Sequence, residues 1–156
     1  MTKRIHVGGV AIGGGAPVSI QSMLNTKTTD VPACLAKLRA LAAAGCQIAR
    51  LAIPDAAAAA AFRHICDASP LPLVADIHFD YRLAIAAAEA GAAKIRINPG
   101  NIGGEDRVRA VVDCCRMHKI PIRIGVNGGS LERRLLEKYG HVTAEALVES
   151  AFSHLA

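Results

Sequence analysis

The sequence predicts an α/β fold, a partial (β/α)8 TIM barrel of about five βα units preceded by a β-hairpin. Short apolar segments alternate with helical segments, which is typical of right-handed βαβ units. Each predicted strand has one polar face, and the polar residues lie near its carboxyl end. A doubly wound sheet, covered by helices on both sides, would be apolar on both faces. Polar side chains at the carboxyl ends of parallel strands line the mouth of a barrel, so the sequence favours the barrel.

The elements follow one another in a regular order. Alternating residues around Gly8 and Gly9 predict a β-hairpin over residues 4–17. Asp30 is the expected N-cap of the first helix, Gly45 its C-terminal glycine, and Thr143 the cap of the last helical segment, 143–156. The predicted strands cover residues 17–23, 47–54, 71–79, 93–100 and 121–127, and the helices after them cover 30–46, 55–69, 81–91, 105–119 and 131–140.

The number of βα units bounds the domain. A complete barrel needs eight units and about 250 residues. The 156 residues here supply five units. We therefore expect residues 1–156 to be the N-terminal part of a TIM-barrel domain, with the rest of the barrel outside this chain. An open sheet that is complete in itself is the alternative.

Composition excludes several classes of function. The chain is 52% hydrophobic and 3% aromatic, so alanine and aliphatic side chains do most of the packing and disorder is excluded. The net charge of +5 indicates a mild preference for anionic partners. Because the basic residues are scattered and few aromatic residues could stack on bases, we expect no nucleic-acid partner.

The cysteines and the hydropathy pattern bear on location. The five cysteines are an odd number without C-x-x-C spacing, which fits buried thiols of a reduced cytoplasmic protein and no metal site. The N-terminal segment is broken by glycines and is not a secretory signal. No segment has the composition of a transmembrane helix. We expect a soluble, cytoplasmic protein without a membrane partner.

Three arginines lie inside the predicted strands, on the lumen face and near the carboxyl ends: Arg50, Arg96 and Arg123. A buried guanidinium without a partner costs several kcal/mol. Asp76 is the nearby acid on that face, and one carboxylate cannot neutralise three arginines. Arginine binds phosphate through two parallel hydrogen bonds. The pattern therefore predicts an anionic ligand with two phosphates, and separate structural ion pairs are the alternative.

Polar residues near the carboxyl ends of the other strands complete the candidate site. Asp76, His78 and Asp80 alternate along the third strand, a spacing that permits metal binding or proton transfer. Asp80 precedes a helix and is more simply an N-cap. We expect Asp76 or His78 to contact a ligand, and we assign no metal. Glycines around Asn127 mark a loop where the backbone comes close to a ligand.

Five segments together resemble one known family. They are "PVSIQSM", "NTKTTD", "LVADIHFDYRLA", "KIRINPGNIG" and "IPIRIGVNGGSLE". In the same order, over nearly the whole chain, they resemble the 4-hydroxy-3-methylbut-2-enyl diphosphate synthases of the methylerythritol phosphate route to isoprenoids. The resemblance implies an oxidoreductase that opens 2-C-methyl-D-erythritol 2,4-cyclodiphosphate and removes water, with electrons from ferredoxin or flavodoxin. It also implies a homodimer and a C-terminal domain that holds a [4Fe–4S] cluster.

The resemblance assigns roles to seven residues. Those that would grip the diphosphate or line the mouth around it are Arg50, Arg96, Arg123, Asn98, Asn127, Asp76 and His78. None of the cysteines matches the cluster ligands, so we expect no cofactor on residues 1–156, catalytic residues elsewhere, and no activity from this part alone. The alternative is a stand-alone module without redox chemistry that binds a phosphorylated or pterin-type ligand.

Overall fold

The computed structural model describes residues 2–154, and a parallel sheet with helices on one side forms its centre. Each strand pairs with the next one along the chain, without the reversal of order that marks a doubly wound sheet. The strands are β3 (Gln21–Met23), β4 (Ile48–Ala52), β5 (Leu73–Asp76), β6 (Lys94–Ile97) and β7 (Ile122–Ile124). This sequential order is that of a barrel wall, as predicted.

Helices cover the outer face of the sheet. The four longer ones on this face are α1 (Val31–Ala43), α2 (Ala56–Ala68), α3 (Tyr81–Glu89) and α5 (Glu105–Met117). Their alanine-rich inner sides pack on strand residues such as Leu51 and Ile95, and Phe62 is fully buried among them. Small side chains let these helices lie close to the sheet, which explains how a chain with so few aromatic residues fills its core.

The N-terminal hairpin lies under the opposite face of the sheet. It consists of β1 (Ile5–Val7) and β2 (Val10–Ile12), which pair antiparallel through a turn at Gly8 and Gly9. Val7 packs on Ile48 and Val74, two residues on the lumen face near the amino ends of β4 and β5. The hairpin therefore closes the lumen with apolar side chains at the amino ends of the strands, and we call this closure the floor. The polar side chains lie nearer the carboxyl ends.

The caps of the helices agree with the sequence. The Asp30 side chain accepts a hydrogen bond from the Ala33 N–H, and Thr143 accepts one from Ala146. Gly45 has a φ of +86°, the left-handed conformation expected after a helix end. The last helices are α6 (Arg133–Tyr139) and α7 (Ala144–Ser153). Residues 155 and 156 of the predicted final segment lie outside the described residues.

The first predicted strand was wrong over residues 17–20. Only Gln21–Met23 form a strand, and Val18 is 96% exposed. Pro17 has no N–H to donate, and the Ile20 N–H donates to the Gln47 side chain instead of a strand. Two short elements were not predicted: α4 (Pro99–Ile102) and a 3-10 helix (Gly128–Ser130), both in loops that follow strands.

Candidate functional site

The register of the sheet brings four charged residues onto one face, in the middle of their strands or near the carboxyl end. Asp76 on β5 is paired with Arg96 on β6, and Arg96 is paired with Arg123 on β7. Arg50 on β4 is paired with Val74, two residues before Asp76. Because paired residues of parallel strands point to the same side, all four side chains face the lumen. We call Arg50, Asp76, Arg96 and Arg123 the arginine cluster.

Asp76 is the centre of the arginine cluster. Its side chain is 2% exposed, and its Oδ2 lies 3.2 Å from the Nη2 of Arg50. Its Oδ1 lies 3.1 Å from the Nη1 of Arg96. One carboxylate thus holds two guanidinium groups at fixed positions. The buried Nε of Arg50 has no hydrogen-bond acceptor among residues 2–154.

Two further cations at the site have no carboxylate partner within residues 2–154. Arg123 is exposed and forms no ion pair in that part of the chain. Lys94, two residues below Arg96 on the same face, is 7% exposed and likewise forms none. Burial lowers the pKa of the Lys94 ammonium, and the charges of Arg123 and Arg50 lower it further. Positive charge at the mouth therefore exceeds what Asp76 can balance.

A glycine makes room for the Arg96 side chain. A Cβ atom at Gly125 would lie 2.5 Å from the Nη2 of Arg96 and 2.6 Å from its Nε. Any larger residue at position 125 would therefore push this guanidinium away from Asp76. The glycine that follows β7 thus takes part in positioning Arg96.

Two asparagines lie beside the arginine cluster and are joined through a serine. The Oδ1 of Asn98 accepts a hydrogen bond from the Gly100 N–H at 3.1 Å and so caps α4. The Nδ2 of Asn98 donates to the Oγ of Ser130. Ser130 in turn donates to the Oδ1 of Asn127 at 3.0 Å. This chain of hydrogen bonds links the loop after β6 to the loop after β7.

The other acidic and histidine residues of the third predicted strand separate into two environments. His78 is 46% exposed, and its Nε2 lies 3.5 Å from the Oδ2 of Asp76, at the edge of the arginine cluster. Asp80 lies outside the cluster: it accepts a hydrogen bond from the Arg82 N–H and caps α3, as predicted. Hydrogen bonds from Arg82 lower the pKa of the Asp80 carboxyl.

The cysteines do not fit an iron–sulfur cluster. Cys34, Cys66 and the pair Cys114 and Cys115 lie on different helices, and Cys46 precedes β4. A cluster needs several thiolates at one place. Burial raises the pKa of the Cys66 and Cys115 thiols to about 12. Within residues 2–154 no group of three His, Cys, Asp or Glu side chains is arranged to hold a metal ion.

That same part of the chain contains no helix long and apolar enough to cross a membrane.

Sequence reasoning missed two residues of the site. Lys94 lies on the same face of its strand as Arg96, as alternation along the strand predicts. Alternation alone assigned Lys94 no role, because the burial of Lys94 and its neighbours depend on how the strands pair. Ser130 is separated by 32 residues from Asn98, the residue that donates to it. No local pattern could have identified that contact.

Comparisons with known proteins agree with the fold. A family model described as the GcpE TIM-barrel domain matches residues 2–156. Three similar curated proteins, from Idiomarina loihiensis, Yersinia enterocolitica and a Marinomonas species, are 61%, 59% and 58% identical over 154 residues. Each is named 4-hydroxy-3-methylbut-2-en-1-yl diphosphate synthase (flavodoxin). The matches cover 99% of this chain but only 41% to 42% of the length of these relatives.

Proposed function

The chain belongs to the family described as the GcpE TIM-barrel domain, and from this membership we propose that it is the substrate-binding part of a 4-hydroxy-3-methylbut-2-enyl diphosphate synthase. The proposed reaction is the reductive opening of 2-C-methyl-D-erythritol 2,4-cyclodiphosphate with loss of water. The electron donor in this proposal is flavodoxin, which the names of the relatives include. A cytoplasmic homodimer is proposed from the family resemblance alone.

The observation that carries the proposal is the imbalance of charge in the arginine cluster. Three arginines and the buried Lys94 face the lumen with Asp76 as the one carboxylate that contacts any of them among residues 2–154. Guanidinium groups bind phosphate oxygens in a bidentate manner, and the negative charges of a cyclic diphosphate offset most of the excess. The substrate of the proposed enzyme has this chemistry.

Each residue of the site has a role in the proposed binding. Asp76 holds Arg50 and Arg96 in place before the substrate arrives, so less side-chain entropy is lost on binding. Arg123 forms no ion pair with residues 2–154 that binding would have to break, so its guanidinium can bind a phosphate oxygen. Asn98 and Asn127 lie beside the diphosphate, and His78 lies at the rim of the mouth.

Residues 2–154 supply binding and orientation in this proposal, not electron transfer. The family resemblance implies a [4Fe–4S] cluster, and the cysteines described above do not fit one, because they are spread over separate elements. The polypeptide of 156 residues is therefore proposed to be inactive by itself.

Calorimetric titration of the full-length protein with the cyclic diphosphate tests the proposal. Replacement of Arg123 by alanine should weaken binding about 10- to 100-fold, because a hydrogen bond to a charged group contributes about 1.5–3 kcal/mol. Arg109→Ala is the control: this arginine is 69% exposed on α5 and pairs with Glu105, away from the mouth. Equal affinity of wild type and Arg123→Ala would contradict the proposal, and tighter binding of a pterin would favour a module of another class.

A further inference from the structure

The hydrogen bonds between the two asparagine loops point to a positioning residue that the resemblance does not assign. We propose that Ser130 sets the orientation of the Asn127 amide, so that the Nδ2 group of Asn127 is presented as a donor to a bound phosphate. The inference rests on the proposed function, because it requires an anion at the mouth of the barrel.

The Gly100 N–H, at the buried end of the chain of contacts, fixes the direction of the hydrogen bond between Asn98 and Ser130. The Gly100 N–H can only donate, so the atom of Asn98 that receives it at 3.1 Å is the amide oxygen. The Nδ2 of Asn98 must then be the atom that contacts Ser130, and it can only donate. Asn98 is 2% exposed, so water does not compete for these contacts. The Ser130 hydroxyl therefore acts as an acceptor toward Asn98.

A hydroxyl has one hydrogen, and here it goes to Asn127. The Oγ of Ser130 lies 3.0 Å from the Oδ1 of Asn127 and 3.4 Å from the Asn127 carbonyl oxygen. The shorter contact is the better hydrogen bond and turns the amide oxygen of Asn127 toward Ser130. The Nδ2 of Asn127 is then at the other end of the amide, and it forms no hydrogen bond with residues 2–154.

This orientation matters because phosphate oxygens accept hydrogen bonds and do not donate them. An Asn127 amide free to rotate would present its oxygen to the anion as readily as its nitrogen, and the oxygen would repel it. The backbone holds Ser130 close: a Cβ at Gly100 would lie 2.7 Å from the Ser130 carbonyl oxygen. The two loops therefore lie in close contact, and the hydrogen bonds of Ser130 to Asn98 and Asn127 set the orientation before the ligand binds.

Two variants of Ser130 in the full-length protein test the inference, with the dissociation constant for the cyclic diphosphate as the readout. Ser130→Ala removes both hydrogen bonds and should weaken binding about ten-fold, the effect of one hydrogen bond of ordinary strength. Ser130→Thr keeps the hydroxyl and should restore the affinity to within about two-fold of wild type. If Ser130→Ala does not fold, Ser130→Cys serves the same comparison, because a thiol keeps the bulk but is a weak donor and acceptor.

A double-mutant cycle separates positioning of Asn127 from a general effect on the loop. If Ser130 acts through Asn127, Ser130→Ala should have little further effect in an Asn127→Ala background. Additive effects, or a Ser130→Ala protein that binds as wild type does, would overturn the inference. Loss of affinity in Arg123→Ala combined with normal affinity in Ser130→Ala would remove the role of Ser130 and leave the proposed function intact. If neither variant changed the affinity, both the role of Ser130 and the proposed function would be refuted.

Discussion

Lys94 lies in an environment that disfavours its charged form. It is 7% exposed, forms no ion pair among the described residues, and lies near the charges of Arg123 and Arg50. Burying a cation in this way costs free energy unless an anion compensates for it. We infer that Lys94 lowers the stability of the ligand-free protein and is tolerated for the sake of anion binding.

Replacement of Lys94 by methionine should therefore raise the Tm of the ligand-free full-length protein at pH 7. For a protein as long as the matched relatives, each kcal/mol of stability gained raises the Tm by about 1–2 °C. The gain should shrink as the pH rises. The pKa of Lys94 is lower in the folded than in the unfolded state, so between the two pKa values the unfolded chain binds more protons and the wild type gains stability with pH. This rise in the stability of the wild type ends near the ordinary lysine pKa of about 10.4.

Thermal unfolding of both proteins at pH 7 and pH 10 measures this difference. Lys3→Met, at an exposed lysine near the N-terminus, is the matched control and should change Tm little at either pH. A difference between wild type and Lys94→Met that grows toward pH 10 would have the wrong sign and would refute a lowered pKa.

The sequence was sufficient to predict which residues share the lumen face but not which atoms meet. Alternation along a strand is fixed by backbone geometry, so parity alone predicted that Arg50, Asp76, Arg96 and Arg123 would lie on one side. The contacts of Asp76 with Arg50 and Arg96, and its lack of contact with Arg123, depend on the offset between strands and on side-chain rotamers. Neither can be read from one sequence.

At the scale of elements, the N-terminal hairpin acts as a floor for the lumen. Val7 is fully buried against Ile48 and Val74, below the level of the arginine cluster. Gly8 has a φ of +57°, and a Cβ there would lie 2.7 Å from the Cβ of Pro72, so the turn itself fits closely against the sheet. The hairpin excludes water from the lower lumen and keeps the charged layer at the mouth.

Truncation of Val7 to alanine should destabilise the full-length protein by about 2 kcal/mol, since two buried methyl groups are lost and a cavity is left. Val18→Ala is the matched control, because Val18 is 96% exposed; its effect should stay within about 0.5 kcal/mol. Urea unfolding gives both values. A Val7→Ala protein as stable as the control would mean that the hairpin does not contribute to the fold as a floor.

Long periodic elements were predictable, and short elements held by distant contacts were not. The hairpin, the strand–helix alternation and the caps at Asp30 and Thr143 follow from local sequence and agree with the structure. α4 has four residues and contacts the 3-10 helix through Asn98 and Ser130. Their stability comes from a tertiary contact, for which hydrophobic periodicity gives no signal.

At the scale of the whole molecule, both outer strands of the described sheet pair on one side only. β3 has β4 as its neighbour and β7 has β6, in the sequential order of a barrel wall. Beside β3, Ile20 is 60% exposed, and Met23 within it is 45% exposed. Unpaired strand edges with apolar side chains are sites where a second chain can add. The matched relatives are longer than this chain, which agrees with the proposal that these residues are one part of a larger barrel.

We therefore expect the 156-residue polypeptide, produced by itself, to associate through these edges. Light scattering after size-exclusion chromatography should give masses above the 16.2 kDa of the monomer, increasing with concentration. Ile20→Lys should shift the distribution toward the monomer, because a charged residue at a strand edge opposes pairing. Val148→Lys, at a residue 54% exposed on α7, controls for added charge and should not. A monomer that unfolds cooperatively would instead favour a self-contained module, since a sheet stable with both edges exposed needs no further strands to complete it.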